Sequence, residues 1–100
     1  MARKKLSPEE IAERVGELKS WATENNFLKK RFDFADFAAA LKFVNQVGAV
    51  AEQRDHHPDV SFGWGYAEFA ITTHDAGGLT GNDFDLAREI ERLALKNERD

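Results

Sequence analysis

The order of apolar and polar positions divides the chain into seven elements. Ser7-Pro8-Glu9-Glu10 reads as a helix start: Ser7 can cap, proline suits the first helical position, and Glu10 completes a capping box. Ile11, Val15 and Leu18 then recur at helical spacing, so a helix is expected from Pro8 to about Lys19, with Leu6 stapled against Ile11. Beyond Trp21, the pair Asn25-Asn26 tolerates positive φ and marks a tight turn. In Phe27 to Phe34, Leu28, Phe32 and Phe34 fall on one side and Lys29, Arg31 and Asp33 on the other, which predicts a hairpin. The run Lys29-Lys30-Arg31 reads as a solvated strand face, or an edge charged against aggregation, before it reads as an anion site.

From Asp36 the period becomes helical. Phe37, Leu41, Val44, Gly48 and Ala51 form one stripe, with Ala40, Phe43, Val47 and Val50 beside it, and so wide an apolar face predicts the central core helix. Pro58 is expected to stop it, because a residue before proline avoids the α region; His56 then falls in the last turn and His57 in the exit. Val60, Phe62 and Trp64 alternate with Ser61 and Gly63. Ala67, Phe69, Ile71 and Thr73 alternate with Tyr66, Glu68, Ala70, Thr72 and His74, giving a second hairpin that turns near Gly65 and takes Trp64 into its core. After the loop Asp75-Ala76-Gly77-Gly78, Thr80 or Asn82 caps a last helix with Leu86, Ile90 and Leu93 inward. The order αββαββα is that of an α+β fold.

Length and composition narrow the class. One hundred residues suffice for a single domain, 1–100, with a modest core and are too few for two. A hydrophobic fraction of 42% with eight phenylalanines argues against disorder. A net charge of −4 gives no footprint for nucleic acid, and Arg3, Lys4 and Lys5 read as a solvated tail. The absence of cysteine excludes disulfides, thiolate metal sites and cysteine catalysis. No apolar run approaches the roughly 20 residues of a membrane span, and the N-terminus lacks a signal-peptide core, so a soluble protein of the cytoplasm is expected, without nucleic acid or membrane as partner.

All three histidines lie between Glu52 and Asp83. Paired positions of a hairpin turning near Gly65 have residue numbers of nearly constant sum, which would set His57 beside His74. His56 is one residue upstream, at a helix end that favours a cation, and Glu52 is four residues earlier on the same face. Three imidazoles with nearby carboxylates would then gather at one sheet edge. The competing reading makes all three polar residues at element ends. A histidine metal site lacks its usual support, since neither a His-Glu-x-x-His helix nor a cysteine pair is present. Asp83 reads first as the acid in the first turn of the last helix, three residues after Thr80.

Glu52, His56, His57, Pro58, Trp64, His74 and Asp83 together meet, at every position, the signature of the pterin-4a-carbinolamine dehydratases, which this sequence resembles over nearly its whole length. Arg31-Phe32-Asp33-Phe34, Asp36-Phe37, Thr73-His74 and Gly78-Leu79 extend the likeness. The resemblance implies a four-stranded antiparallel sheet with three helices packed on one face. It implies an enzyme that removes water from 4a-hydroxytetrahydropterin to give quinonoid dihydropterin, in the recycling of tetrahydropterin, with no metal or organic cofactor. His56 and His74 would flank the 4a carbon as acid and base, and His57 would bind or polarise the pterin. Glu52 and Asp55 would orient imidazoles, while Pro58, Thr73, Asp75 and Ala76 would shape the pterin site. The resemblance also leaves room for a non-catalytic dimerisation or enzyme-assembly factor with a protein partner. A homodimer or homotetramer is expected, since such a sheet leaves two edges and one open face.

Overall fold

The computed structural model describes residues 4–99. Helix α1 (Pro8–Gly16) begins at the capping box: the Glu10 N–H donates to the Ser7 hydroxyl, and the Glu10 carboxylate accepts from the Ser7 N–H at 2.9 Å. It ends three residues short of Lys19, and Glu17 to Ser20 turn the chain toward the sheet, Ser20 at φ 65°. Ile11, Val15 and Leu18 pack against the core as their spacing predicts.

Strands β1 (Ala22–Glu24) and β2 (Phe27–Asp33) form the first hairpin, with Asn25 and Asn26 both at positive φ in its turn. Strands β3 (Asp59–Gly63) and β4 (Tyr66–Ile71) form the second, and β2 pairs with β4, so the antiparallel sheet runs β1-β2-β4-β3. β2 is thus interior and needs no edge charges. Leu28, Phe32, Phe69 and Ile71 face the helices, and the rings of Phe32, Phe43 and Phe69 meet at centroid distances of 5.1 to 6.0 Å. Lys29, Arg31, Tyr66 and Glu68 take the opposite face, where the Arg31 guanidinium lies 4.5 Å above the Tyr66 ring. Lys30 departs from the solvated reading. It turns toward the helices and, with Trp21 Nε1, binds the Glu91 carboxylate.

Helix α2 (Phe37–Arg54) is capped by the Asp36 carboxylate, which accepts from the Ala39 N–H at 2.9 Å. Its buried line is Ala40, Phe43, Val47 and Ala51, while Phe37 and Leu41 remain exposed. The sheet meets the helix along one side only, so part of the wide apolar face stays outside. Trp64 also departs from expectation: it occupies the β3–β4 turn and is 73% exposed. The turn requires its glycines, since Gly65 sits at φ 85° and a Cβ on Gly63 would lie 2.9 Å from the Tyr66 ring. Helix α3 (Gly81–Arg99) buries Phe84, Leu86, Ala87 and Ile90. The sequence reading of a four-stranded antiparallel sheet with three helices on one face holds. Among the described residues no helix is long and apolar enough to cross a membrane.

Candidate active site

Two turns deliver the histidines. At the end of α2, Asp55 adopts the left-handed conformation (φ 52°), its N–H bonds the Glu52 carbonyl, and the His56 N–H reaches back to the Ala51 carbonyl at 3.1 Å. This is a Schellman arrangement, with an aspartate tolerating a position that usually takes glycine. The helix therefore stops at Arg54, before Pro58 can act, and both histidines lie beyond it. His56 turns inward with its side chain 8% exposed, whereas the His57 side chain is 54% exposed.

The second turn follows β4. Strand pairing ends at Ile71, and after Thr72 and Thr73 the chain enters a short 3-10 turn, His74–Ala76, closed by an isolated bridge between Thr73 and Gly78. His74 thus leaves the sheet, exposed, with its ring edge-on to Phe27 at 6.2 Å. The hairpin register, Asp59 opposite Ala70 and Gly63 opposite Tyr66, would carry His57 opposite Thr72 and not His74. Strand pairing is not what joins them.

They meet all the same, around a cavity of about 290 Å³ lined by Asp55, His56, His57, Thr72, Thr73, His74 and Asp75. That is near the lower end of small-ligand clefts. Of the other sequence candidates, Glu52 reaches the site only through His57, whose Nε2 it binds at the surface. Pro58 and Ala76 do not line the cavity. Thr72 was missed. Its hydroxyl donates to the Asn26 carbonyl at 2.6 Å and ties the first hairpin's turn to the site. Larger concavities, between α1 and the β1–β2 turn and along the outer face of α2, contain no histidine.

Behind the cavity lies a buried polar chain. His56 Nε2 is 2.6 Å from Asp83 Oδ1, and Asp83 Oδ2 accepts from the Thr80 N–H at 2.8 Å and the Thr73 hydroxyl at 2.9 Å. The Thr73 and Thr80 hydroxyls are 2.9 Å apart. Asp83 is fully buried, and no buried side-chain nitrogen or oxygen among the described residues lacks a partner. A satisfied network of this kind is rigid, because any member that moved would leave a desolvated polar group behind. Asp83 is the helix acid its spacing suggested, and it is also the partner of His56. The sequence signal for the second role was its place in the family signature.

The family profile for pterin 4 alpha carbinolamine dehydratase matches residues 4–93. The chain belongs to the pterin-4a-carbinolamine dehydratase family. A Roseiflexus protein (strain RS-1), provisionally named as pterin-4-alpha-carbinolamine dehydratase, is 44% identical over 89% of this chain and 96% of its own length. A Sulfolobus acidocaldarius protein provisionally given the same name is 39% identical over 89% of this chain and 98% of its own. The crystal structure of a transcriptional coactivator/pterin dehydratase from Brucella melitensis matches with a TM-score of 0.87 at 28% identity, over 91% of this chain and 99% of that one. A pterin dehydratase-like RuBisCO assembly factor of the alpha-carboxysome shares the fold, with a TM-score of 0.62 at 23% identity, over 74% of this chain and 86% of that one.

Proposed function

We propose that the protein dehydrates 4a-hydroxytetrahydropterins to quinonoid dihydropterins by histidine acid/base catalysis, in the recycling of tetrahydropterin. The observation that carries this reading is the convergence of His56, His57 and His74 on one cavity from two turns that strand pairing does not join. In the reaction N5 loses its proton, its electron pair forms the N5–C4a double bond, and the C4a–O bond breaks as the leaving hydroxyl takes a proton to depart as water. One imidazole receives a proton and another supplies one, so the protein ends with the proton count it began with. Imidazoles suit both halves near neutral pH, and each positioned transfer contributes roughly 10²- to 10⁴-fold.

His56 and His74 form the acid/base pair and His57 holds or polarises the pterin. Glu52, in contact with His57, orients that ring, and Asp55 sets the path of the chain into His56. Thr73 and Asp75 shape the cavity wall, with Pro58 and Ala76 supporting its two turns. The proton transfers need only imidazoles. Self-association through the free edges of β1 and β3 accompanies this reading, and size-exclusion chromatography with light scattering measures it.

The test is formation of quinonoid dihydropterin from synthetic carbinolamine, followed by absorbance. Acceleration over buffer is expected and is lost with His74→Ala; a rate equal to buffer rejects the enzyme. A non-catalytic role as a dimerisation or assembly factor then takes its place, a reading favoured by the likeness to the Brucella melitensis transcriptional coactivator/pterin dehydratase.

A further inference from the structure

We infer that Asp83, held at Oδ2 by Thr73 and Thr80, fixes the tautomer of His56, so that its Nε2 carries the proton and its Nδ1 lone pair is what the cavity receives. The argument is one of donor polarity. The Thr80 main-chain N–H can only donate, so Asp83 Oδ2 is an acceptor. The Thr73 hydroxyl gives its single proton to the same oxygen, and its own oxygen is left to accept the proton of Thr80. Thr80 Oγ1 accepts in turn from the Asn82 N–H at 3.3 Å. Every hydrogen in the chain is thereby directed toward Asp83. With Asp83 as its carboxylate, Oδ1 accepts from His56 Nε2 at 2.6 Å, inside a network with no side-chain exposure at Asp83. A neutral imidazole that donates at Nε2 accepts at Nδ1. Because His56 lines the cavity and its Nε2 faces α3, the ring offers a ligand an acceptor.

Thr73, Thr80 and Asp83 are positioning residues here, and the kinetic consequence rests on the proposed dehydration while the tautomer does not. Asp83→Asn is the informative change, being isosteric. The two donors on the Oδ2 side hold the amide oxygen, which turns the amide NH2 toward Nε2; Nε2 must then accept, and the proton moves to Nδ1. Removing the correct tautomer while keeping geometry costs on the order of 10³-fold or more in kcat in comparable acid/base sites.

Long-range ¹H–¹⁵N correlation spectra of histidine-labelled protein, with His56 assigned by its loss in His56→Gln, read the tautomer directly. Neutral His56 is expected as Nε2–H in the wild type and as Nδ1–H in Asp83→Asn. In the dehydration assay kcat is expected to fall in Asp83→Asn, KM changing less than kcat. Nδ1–H in the wild type, which a protonated Asp83 would impose, overturns the inference, as does an unchanged tautomer in Asp83→Asn. If no variant or wild type dehydrates the carbinolamine, the functional reading fails, and the spectra still decide the tautomer.

Discussion

His56 and Asp83 stand 27 residues apart and meet at 2.6 Å, both buried, between the end of α2 and the start of α3. Asp83 is at once the acid of a helix N-terminus and the anchor of a cavity-lining imidazole. Asp83→Ala should therefore cost more than a lost cap. It strands the His56 nitrogen and the Thr80 N–H in a dry interior and leaves the Thr73 hydroxyl only that of Thr80, a loss of about 3 kcal/mol or more. The shift of the urea midpoint measures it, and a loss under about 1 kcal/mol would mean that the cap is all Asp83 provides.

His74 separates the proposed chemistry from stability. It is exposed and lies outside the strand ladder. His74→Ala is expected to leave the urea midpoint within about 0.5 kcal/mol and to slow dehydration by roughly 10²-fold or more. Unchanged turnover would remove it from the acid/base pair.

Trp64 offers the reverse test. At 73% exposure it contributes little burial, so Trp64→Ser should change stability by no more than about 0.5 kcal/mol. A large drop would place it in the core its alternation with Phe62 suggested.

Glu91 binds Trp21 Nε1 at 2.8 Å and the Lys30 ammonium, whose side chain is only 12% exposed and sits 4.5 Å from the Phe32 ring centroid. Glu91→Ala leaves Trp21 Nε1 without its carboxylate and the Lys30 ammonium with the Lys19 carbonyl at 3.0 Å in place of an ion pair, at the seam between α3 and β2. A destabilisation of about 2 kcal/mol is expected in urea unfolding, and a double-mutant cycle with Lys30→Met should show strong coupling.

The α1 capping box predicts a pH effect. The Ser7 N–H and then the Ser7 hydroxyl hold the Glu10 carboxyl below its usual range. A carboxylate depressed in the folded state adds stability that is present above its unfolded value and lost as pH falls through the folded one. Glu10→Gln should flatten this part of the acid limb of the stability profile and leave the rest in place. An identical acid limb would assign that loss to other carboxylates.

Element types and their order were legible in the sequence because they rest on short-range physics. The Ser7 box, the Asn25-Asn26 turn and the alternation through Phe69 and Ile71 each involve residues a few positions apart, and all three appear in the structure. The gathering of His56, His57 and His74 was also legible, though the route proposed for it was not. A hairpin sum assumes that the strands continue to His57 and His74, and they end at Asp59 and Ile71. Which stripe of α2 the sheet would cover, and that Trp64 would stay outside, depended on where the layers touch.

What the sequence determined by itself was therefore the set of elements, the cap at Asp83 and the residue types of a histidine cavity. Tertiary structure alone decided that Asp55 would take a left-handed turn, that His56 would face inward, and that Thr73, Thr80 and Asp83 would close behind it. The physical reason is range. Caps and periods are set by neighbours along the chain, whereas a buried hydrogen-bond network exists only once α2, β4 and α3 have excluded water from the space between them.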